Sequence, residues 1–523
     1  MPRCLLRPGA VILALCLIAP FFWGESLAGQ PWLASAQPAG ATGWVEHSIE
    51  KLNDLLGDTV SLMADILFAD FGTGIPLIVL ILVAGGVYYS FFFRWISLRG
   101  FRHSIRIIRG HYDDPDDPGE ISHFQALTSA LSATIGLGNI AGVAIAVGLG
   151  GPGAVFWMIV MALFGMSSKL ASCTLAVMYR QVHPDGHISG GPMYYLEHGL
   201  AIKGLRPLGR TLAVLFALLT IGGSLGGGNM FQANQTLEIL STVSPFFRTH
   251  NWVMGLLFSV FVALVIIGGI RRIGRVTSRI VPFMCLLYVT TSLIIILSHV
   301  TEIPSLLATI FRQALSPQAI YGGLLGVLVT GVKRAAFSNE AGLGSAAFAH
   351  SAAKTSEAAR EGMVAMIGPF IDTVIICLMT AMVCMITGAY QAPEFQGQGE
   401  WVVGAKMTAA AFESFIPGSR YVLSGAVMLF AYSTMVSWSY YGERAWEYLF
   451  GARATLIYRV IFVCFVFIGS VTALKNVLDF SDMMILGMAF PNIIGGVILS
   501  PQIRATLQDY WTRLKAGDMA EYR

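Results

Sequence analysis

Thr134-Ile135-Gly136-Leu137-Gly138-Asn139, with Gly142, Gly148, Gly150 and Gly151 behind it, lies in the middle of an apolar run at roughly residues 125–150. Glycine at this density near the middle of a span suggests a break. A broken helix leaves backbone N–H and C=O groups that hydrocarbon penalises heavily, so the gap survives in a bilayer only where it lines a polar site. Close packing through small residues is the competing explanation for a single run of this kind. A second run repeats the anomaly in Lys333-Arg334-Ala335-Ala336-Phe337-Ser338-Asn339-Glu340-Ala341-Gly342-Leu343-Gly344-Ser345, five apolar segments further on. Because five is odd, the two breaks fall at matching places in two oppositely oriented halves. That is the sequence pointer to an inverted-repeat secondary transporter.

The rest of the chain agrees with a membrane protein. Its 523 residues are 55% hydrophobic and 12% charged, with a mean hydropathy of +0.67, whereas soluble domains carry about 25% charged residues. Eleven apolar segments follow the leader, at roughly 74–97, 125–150, 152–179, 210–240, 252–270, 278–299, 320–350, 363–388, 420–443, 455–474 and 482–501. Each approaches the ~20 residues a spanning helix needs. The net charge of +3 gives no reason to expect nucleic acid as a partner. Seven cysteines show neither metal-ligand nor disulfide-framework spacing.

Arg3 and Arg7 precede the apolar run Ala10 to Trp23, and Ala34-Ser35-Ala36 follows, so residues 1–36 read as a cleavable signal peptide. Residues 37–70 read as an amphipathic helix on the outer surface. With the chain starting outside, the inward connections hold 23 Lys and Arg residues, Lys169 among them, and the outward ones six. The positive-inside rule then places the N-terminus outside and the C-terminus in the cytoplasm of a multi-pass inner-membrane protein.

Further stretches carry a family resemblance. Gly119-Glu120-Ile121-Ser122-His123-Phe124-Gln125-Ala126-Leu127-Thr128, leading into the first break and Gly150-Gly151-Pro152-Gly153-Ala154, is one. The others are Gly190-Gly191-Pro192-Met193-Tyr194-Tyr195, Gly228-Asn229-Met230-Phe231-Gln232-Ala233-Asn234, Phe337-Ser338-Asn339-Glu340-Ala341-Gly342 and Ser433-Thr434-Met435-Val436-Ser437-Trp438-Ser439-Tyr440-Tyr441-Gly442-Glu443-Arg444. Together they resemble the alanine or glycine:cation symporter family over roughly residues 50–505. His123 stands where that family usually has proline, Gln235 where a small residue is common, and the leader is unusually long. Gln235, if it faces the pocket, bears on substrate choice.

The resemblance implies an all-α polytopic protein of leucine-transporter type with 11 transmembrane helices in a five-plus-five inverted repeat. In that frame residues 71–120 hold one extra helix and a basic cytoplasmic loop, 121–300 the first repeat, 301–503 the second, and 504–523 a cytoplasmic tail. It also implies uptake of alanine or glycine with Na+ as coupling ion, with no other cofactor. Partners are then the amino acid, Na+ and membrane lipid. For the ion, the resemblance suggests the carbonyls of Ser132 and Ile135 with the hydroxyls of Ser433 and Thr434.

Physical chemistry supplies candidates for the amino acid. Backbone N–H groups of Gly136, Leu137 and Gly138, flanked by Thr134 and Asn139, can receive a carboxylate at a half-helix N-terminus. Exposed carbonyls near Gly342 to Gly344 and the side-chain carbonyl of Gln232 can accept from the ammonium. Trp438 lies one helical turn after Thr434 and would limit side-chain size, unless it is an interface anchor. Asp372 sits about ten residues into the eighth span, where a carboxylate costs roughly 3 kcal/mol to insert. It reads as a second cation or proton site, or as the partner of a hydroxyl. Glu340 has the same ambiguity, with an ion pair to Lys333 or Arg334 as the alternative. Asp113, Asp114, Asp116 and Asp117 read as a solvated acid cluster.

Rival classes have weaker support. Gly222-Gly223-Ser224-Leu225-Gly226 matches G-x-S-x-G, but neither a strand-to-helix elbow nor a histidine within a span accompanies it as an intramembrane serine protease needs. The chain has no P-loop and no H-E-x-x-H. A channel would need rings of like groups around a wet pore, whereas this chain is internally duplicated in opposite orientations. Proton in place of sodium coupling remains the nearest alternative.

Overall fold

The computed structural model describes residues 67–184, 186–244, 246–247, 250–267, 269–316, 323–395, 400–471 and 474–522. The expected signal peptide lies outside the described residues, as does nearly all of the expected amphipathic segment. Among the described residues, seven helices are long and apolar enough to cross a membrane: Gly153–Met178, Arg206–Val243, Gly269–Ser298, Ala358–Ile386, Ser419–Phe450, Ala452–Ser470 and Val477–Ala516. A bent pair, His123–Thr134 with Gly138–Gly150, makes an eighth. The other expected segments fall on shorter helices, Leu77–Phe92, Asn251–Ile266 and Gly323–Asn339. In Ser419–Phe450 the apolar window is 72% buried, against 28% in Ala452–Ser470, so the former is a central helix and the latter a peripheral one.

The elements that position the site are, in chain order, α1 (Leu77–Phe92), α2 (His123–Thr134), α3 (Val143–Gly150), α4 (Gly153–Met178), α5 (Phe231–Val243), α6 (Gly323–Asn339), α7 (Ala347–Ser351), α8 (Ala358–Ala365), α9 (Glu400–Phe415), α10 (Ser419–Phe450), α11 (Leu474–Gly487) and α12 (Ala489–Ala516). Helix α2 starts at a capping box. Ser122 Oγ accepts from Gln125 N, and Gln125 Oε1 accepts from Ser122 N, so two orphan donors are satisfied reciprocally. At its other end Ile135 leaves helical geometry with ψ 85°. The chain resumes as a π-helical turn, Gly138–Gly142, and α3, with the axis bent by 53°.

The second break begins at Asn339. Glu340 follows at φ +56°, then Gly342 at +88° and Gly344 at +89° before α7. Glycine is required at the last two because L side chains avoid that region. Several freed backbone carbonyls are met by buried side chains. Lys169 Nζ donates to Asn339 O (3.0 Å), Asn492 Nδ2 to Gly342 O (2.7 Å), and Thr408 Oγ1 to Ile140 O in the first break (3.1 Å). Lys169 was counted above among inward-loop cations. It is instead 2% exposed in the middle of α4, and the charge asymmetry survives its removal.

The end of the bundle that carries the basic loops is zipped shut. Glu120 N donates to Ala352 O (2.8 Å) and Lys354 N to Ile121 O (2.7 Å), which ties the start of α2 to the chain after α7. The Arg180 guanidinium donates to four carbonyls, those of Pro118, Ser351, Ala353 and Thr355. The acid cluster is less free than its composition suggested. Asp117 lies 3.8 Å from Arg360, and Tyr522 donates to Asp114. On the opposite side, α9 packs over the Gly138–Gly142 turn and α3.

Candidate functional site

Asp372 is fully buried in a π-helical stretch, Phe370–Cys377, between the two breaks. Its carboxylate accepts from Asn139 Nδ2 (2.7 Å) on one oxygen and from Ser338 Oγ (2.9 Å) and Thr373 Oγ1 (2.8 Å) on the other. Asn139 belongs to the first break and Ser338 to the last turn of α6 before the second. One carboxylate therefore joins both interruptions. The irregular turns are what make the convergence possible, since a π turn shifts side-chain phase and is concentrated at functional sites.

The oxygen set suggested for the ion meets only in part. Thr434 Oγ1 donates to Ser132 O (2.9 Å), and Ser132 Oγ donates to Ser433 O (2.7 Å), so α10 and the end of α2 interlock. The Ser433 hydroxyl turns back to Phe430 O (3.0 Å) on its own helix. Gly136 comes so close that a Cβ there would sit 2.5 Å from Thr434 Oγ1. Leu137 N donates to Gln232 Oε1 (3.2 Å), Gly136 N donates to Asn139 Oδ1 (2.9 Å), and Gln232 Nε2 is anchored on Gly227 O (2.9 Å). Thr134 Oγ1 bonds within α2 to Ala130 O (3.2 Å).

Several sequence expectations change. Gly342 and Gly344 turn away from the first break. Their absent Cβ positions abut Leu82 of α1 and Asn492 of α12, and the Gly342 carbonyl is taken by Asn492. The part of the second break that faces the first is Ser338 with Phe337, whose atoms lie within 3.6 Å of a Cβ placed at Gly138. Trp438 is 2% exposed and packs on Gly228, where a Cβ would meet its Cγ at 2.3 Å, so it is no interface anchor. Glu340 does not pair with Lys333 or Arg334, which both turn to Asp482. It accepts from the Ser345 hydroxyl and faces the Trp438 indole and the Lys169 ammonium. Gln235 is turned from the pocket to hold α9, where its Oε1 accepts from Ala405 N (3.2 Å). Lys169 and Asp482 had no motif to announce them.

A sequence profile of the sodium:alanine symporter family matches residues 58–523. The chain belongs to that family. The sodium/alanine symporter AgcS of Methanococcus maripaludis is 40% identical over 426 residues, covering 81% of this chain and 92% of that one. An uncharacterized transporter of Haemophilus influenzae is 40% identical over 84% of this chain and 94% of its own. A solved structure, MhsT in complex with L-phenylalanine, aligns at 15% identity with a TM-score of 0.46, over 74% of this chain and 99% of that one. The sodium:alanine symporter family is one of membrane transporters, not enzymes, and its activity is sodium-coupled amino-acid symport. In keeping with this, Ser224 of the G-x-S-x-G match is bonded to the Tyr458 hydroxyl, and its glycines admit Met484 and Ile485.

Proposed function

We propose that this symporter moves alanine or glycine into the cell together with Na+ by alternating access, in eleven spans built as one extra helix and two inverted five-helix halves. The observation that carries the reading is the bridge from Asn139 through Asp372 to Ser338, which makes the two breaks one unit. A carboxylate entering the first break would take the donors at Gly136, Leu137 and Gly138 from the side-chain oxygens now seated on two of them. Na+ would sit among Ser132 O, Ile135 O and Thr434 Oγ1, with oxygen ligands at a half-helix C-terminal end. Asp372 with Ser338 offers a second oxygen cluster for a cation. A small substrate fits the crowding by Phe337 and by Trp438, which is wedged between Gly228 and Glu340.

The N-terminus is outside and the C-terminus cytoplasmic, at the inner membrane, on the strength of the charge asymmetry. A second reading, H+ as the coupling ion, draws on the buried carboxylates of Asp372 and Glu340. Uptake of labelled alanine and glycine into proteoliposomes separates the two. Accumulation driven by an inward Na+ gradient at equal pH is the result expected. Accumulation that needs a pH gradient and ignores Na+ would replace this reading with the second.

A further inference from the structure

At the zipped end of the bundle, three ionisable side chains from three elements meet out of solvent. His123 is the first residue of α2, His350 lies in α7 and Glu361 in α8, and their side chains are 1%, 0% and 0% exposed. Each imidazole donates its Nδ1–H to a different oxygen of the one carboxylate. That fixes the tautomer and leaves both Nε2 atoms as acceptors. Neither Nε2 finds a hydrogen-bond partner among the described residues. With both imidazoles neutral, the buried carboxylate has no charged hydrogen-bond partner, and a low-dielectric interior disfavours that.

A route from bulk water leads to this cluster. His123 Nε2 points toward Asp113 Oδ1 at 3.9 Å, and that oxygen is also without a hydrogen-bond partner. Asp113 is 42% exposed and lines a cavity of about 390 Å³ with Ser122, Lys354 and Tyr522. The other charged or titratable groups facing the cluster are Arg180 beyond the end of α4 and Cys173 within it, both near Glu361. The Arg180 guanidinium attracts Glu361 through space, but its hydrogen bonds among the described residues go to carbonyls.

We propose that the His123–Glu361–His350 cluster is a proton-binding site that latches the cytoplasmic gate. One proton from cytoplasmic water adds to His123 Nε2, giving an imidazolium between the carboxylates of Glu361 and Asp113. The added charge neutralises the buried carboxylate and holds the start of α2 against α8. Opening toward the cytoplasm pulls His123 away from Glu361, so the proton must leave first. Acid on the cytoplasmic side therefore favours the closed gate and slows release. The site rests on the alternating-access reading above and adds a ligand to it.

His123→Pro is the discriminating variant, because proline is well tolerated at the first helical position. In proteoliposomes with a fixed Na+ gradient, wild-type alanine uptake should fall at least about threefold as internal pH goes from 8 to 6. His123→Pro should show little change. A response that follows external rather than internal pH, or the same internal profile in both proteins, overturns the site. Uptake at internal pH 8 reports on the symport reading alone, so the two can fail separately. Hydrogen-exchange protection of the backbone at residues 121–126, corrected for intrinsic rates, needs no substrate. It should rise at pH 6 relative to pH 8 in wild type and not in His123→Pro; equal changes in both refute the latch.

Discussion

The Asn139 side-chain amide donates both to the backbone carbonyl of Asp372 (3.1 Å) and to its carboxylate (2.7 Å), so a residue of the first break grips the eighth expected span at two points. Ser338 completes the bridge on the other carboxylate oxygen. Movement of either break is thereby felt by the other. This offers a physical route for an ion bound on one helix to alter the site of an amino acid bound on the other.

Asp372→Asn keeps the shape and removes the charge. The hydroxyls of Ser338 and Thr373 lose a charged acceptor, and charge-assisted hydrogen bonds contribute about 1.5–3 kcal/mol each. The Na+ concentration for half-maximal uptake should rise tenfold or more in protein that still inserts and purifies as a monodisperse species. Uptake measured against Na+ at saturating alanine checks this, and an unshifted Na+ curve would take Asp372 out of ion coupling.

Ser433 and Thr434 are adjacent but not equivalent. Thr434→Val removes the hydroxyl that reaches Ser132 O across the helix interface, whereas Ser433→Ala removes one bonded within α10. The first substitution should weaken Na+ dependence strongly and the second by less than about threefold, because helix-internal hydroxyl bonds contribute little net stability. Parallel Na+ titrations of the two variants decide it. Equal effects would mean that the Ser433 hydroxyl turns toward the ion during the cycle.

Trp438 fills the hollow left by Gly228 and lies against Glu340. Trp438→Ala should admit larger neutral amino acids while weakening alanine, since exclusion by size depends on walls rather than on weaker attraction. Competition of labelled alanine uptake by a panel running from glycine to leucine reads this out. Gly228→Ala is the converse test. Overpacking costs about 1–3 kcal/mol, and the variant should recover activity when combined with Trp438→Phe.

Asp482 is shared by Arg334 and Lys333, with the Lys333 ammonium at 3.7 Å. Asp482→Ala removes one carboxylate from the nearly fully buried Arg334 guanidinium, and breaking one side of a buried pair costs about 3–5 kcal/mol. The melting temperature in detergent should fall by several degrees. Replacing Arg334 and Asp482 together by Met and Leu should cost less than Asp482→Ala alone, and additivity of the two single changes would argue against direct coupling.

The breaks were legible in the sequence because backbone irregularity leaves a compositional trace, glycine beside Asn139 and beside Asn339. What glycine does at each break was not legible. Gly136 is there for close approach to Thr434, whereas Gly342 and Gly344 are there for a left-handed backbone, and composition alone does not distinguish the two causes. Lys169 was read as a loop cation because a lone lysine in an apolar run resembles a span boundary. Its partner, the carbonyl of Asn339, lies 170 positions away and has no side-chain signature. Gln235 was recognised as unusual but its direction depends on α9, whose place over the first break follows from tertiary packing alone.

Arg180 holds the closed end by reading only main-chain carbonyls, and a carbonyl is the same whatever residue carries it. Side chains at 351, 353 and 355 can therefore drift without loosening that grip, provided the backbone keeps its path. Arg180 itself has no such latitude. A lysine would bring a point charge with three donors in place of a planar fork with five. Evolutionary freedom and mechanical necessity are thus divided between different residues of one contact, with variation expected in the segment held and invariance in the residue that holds it.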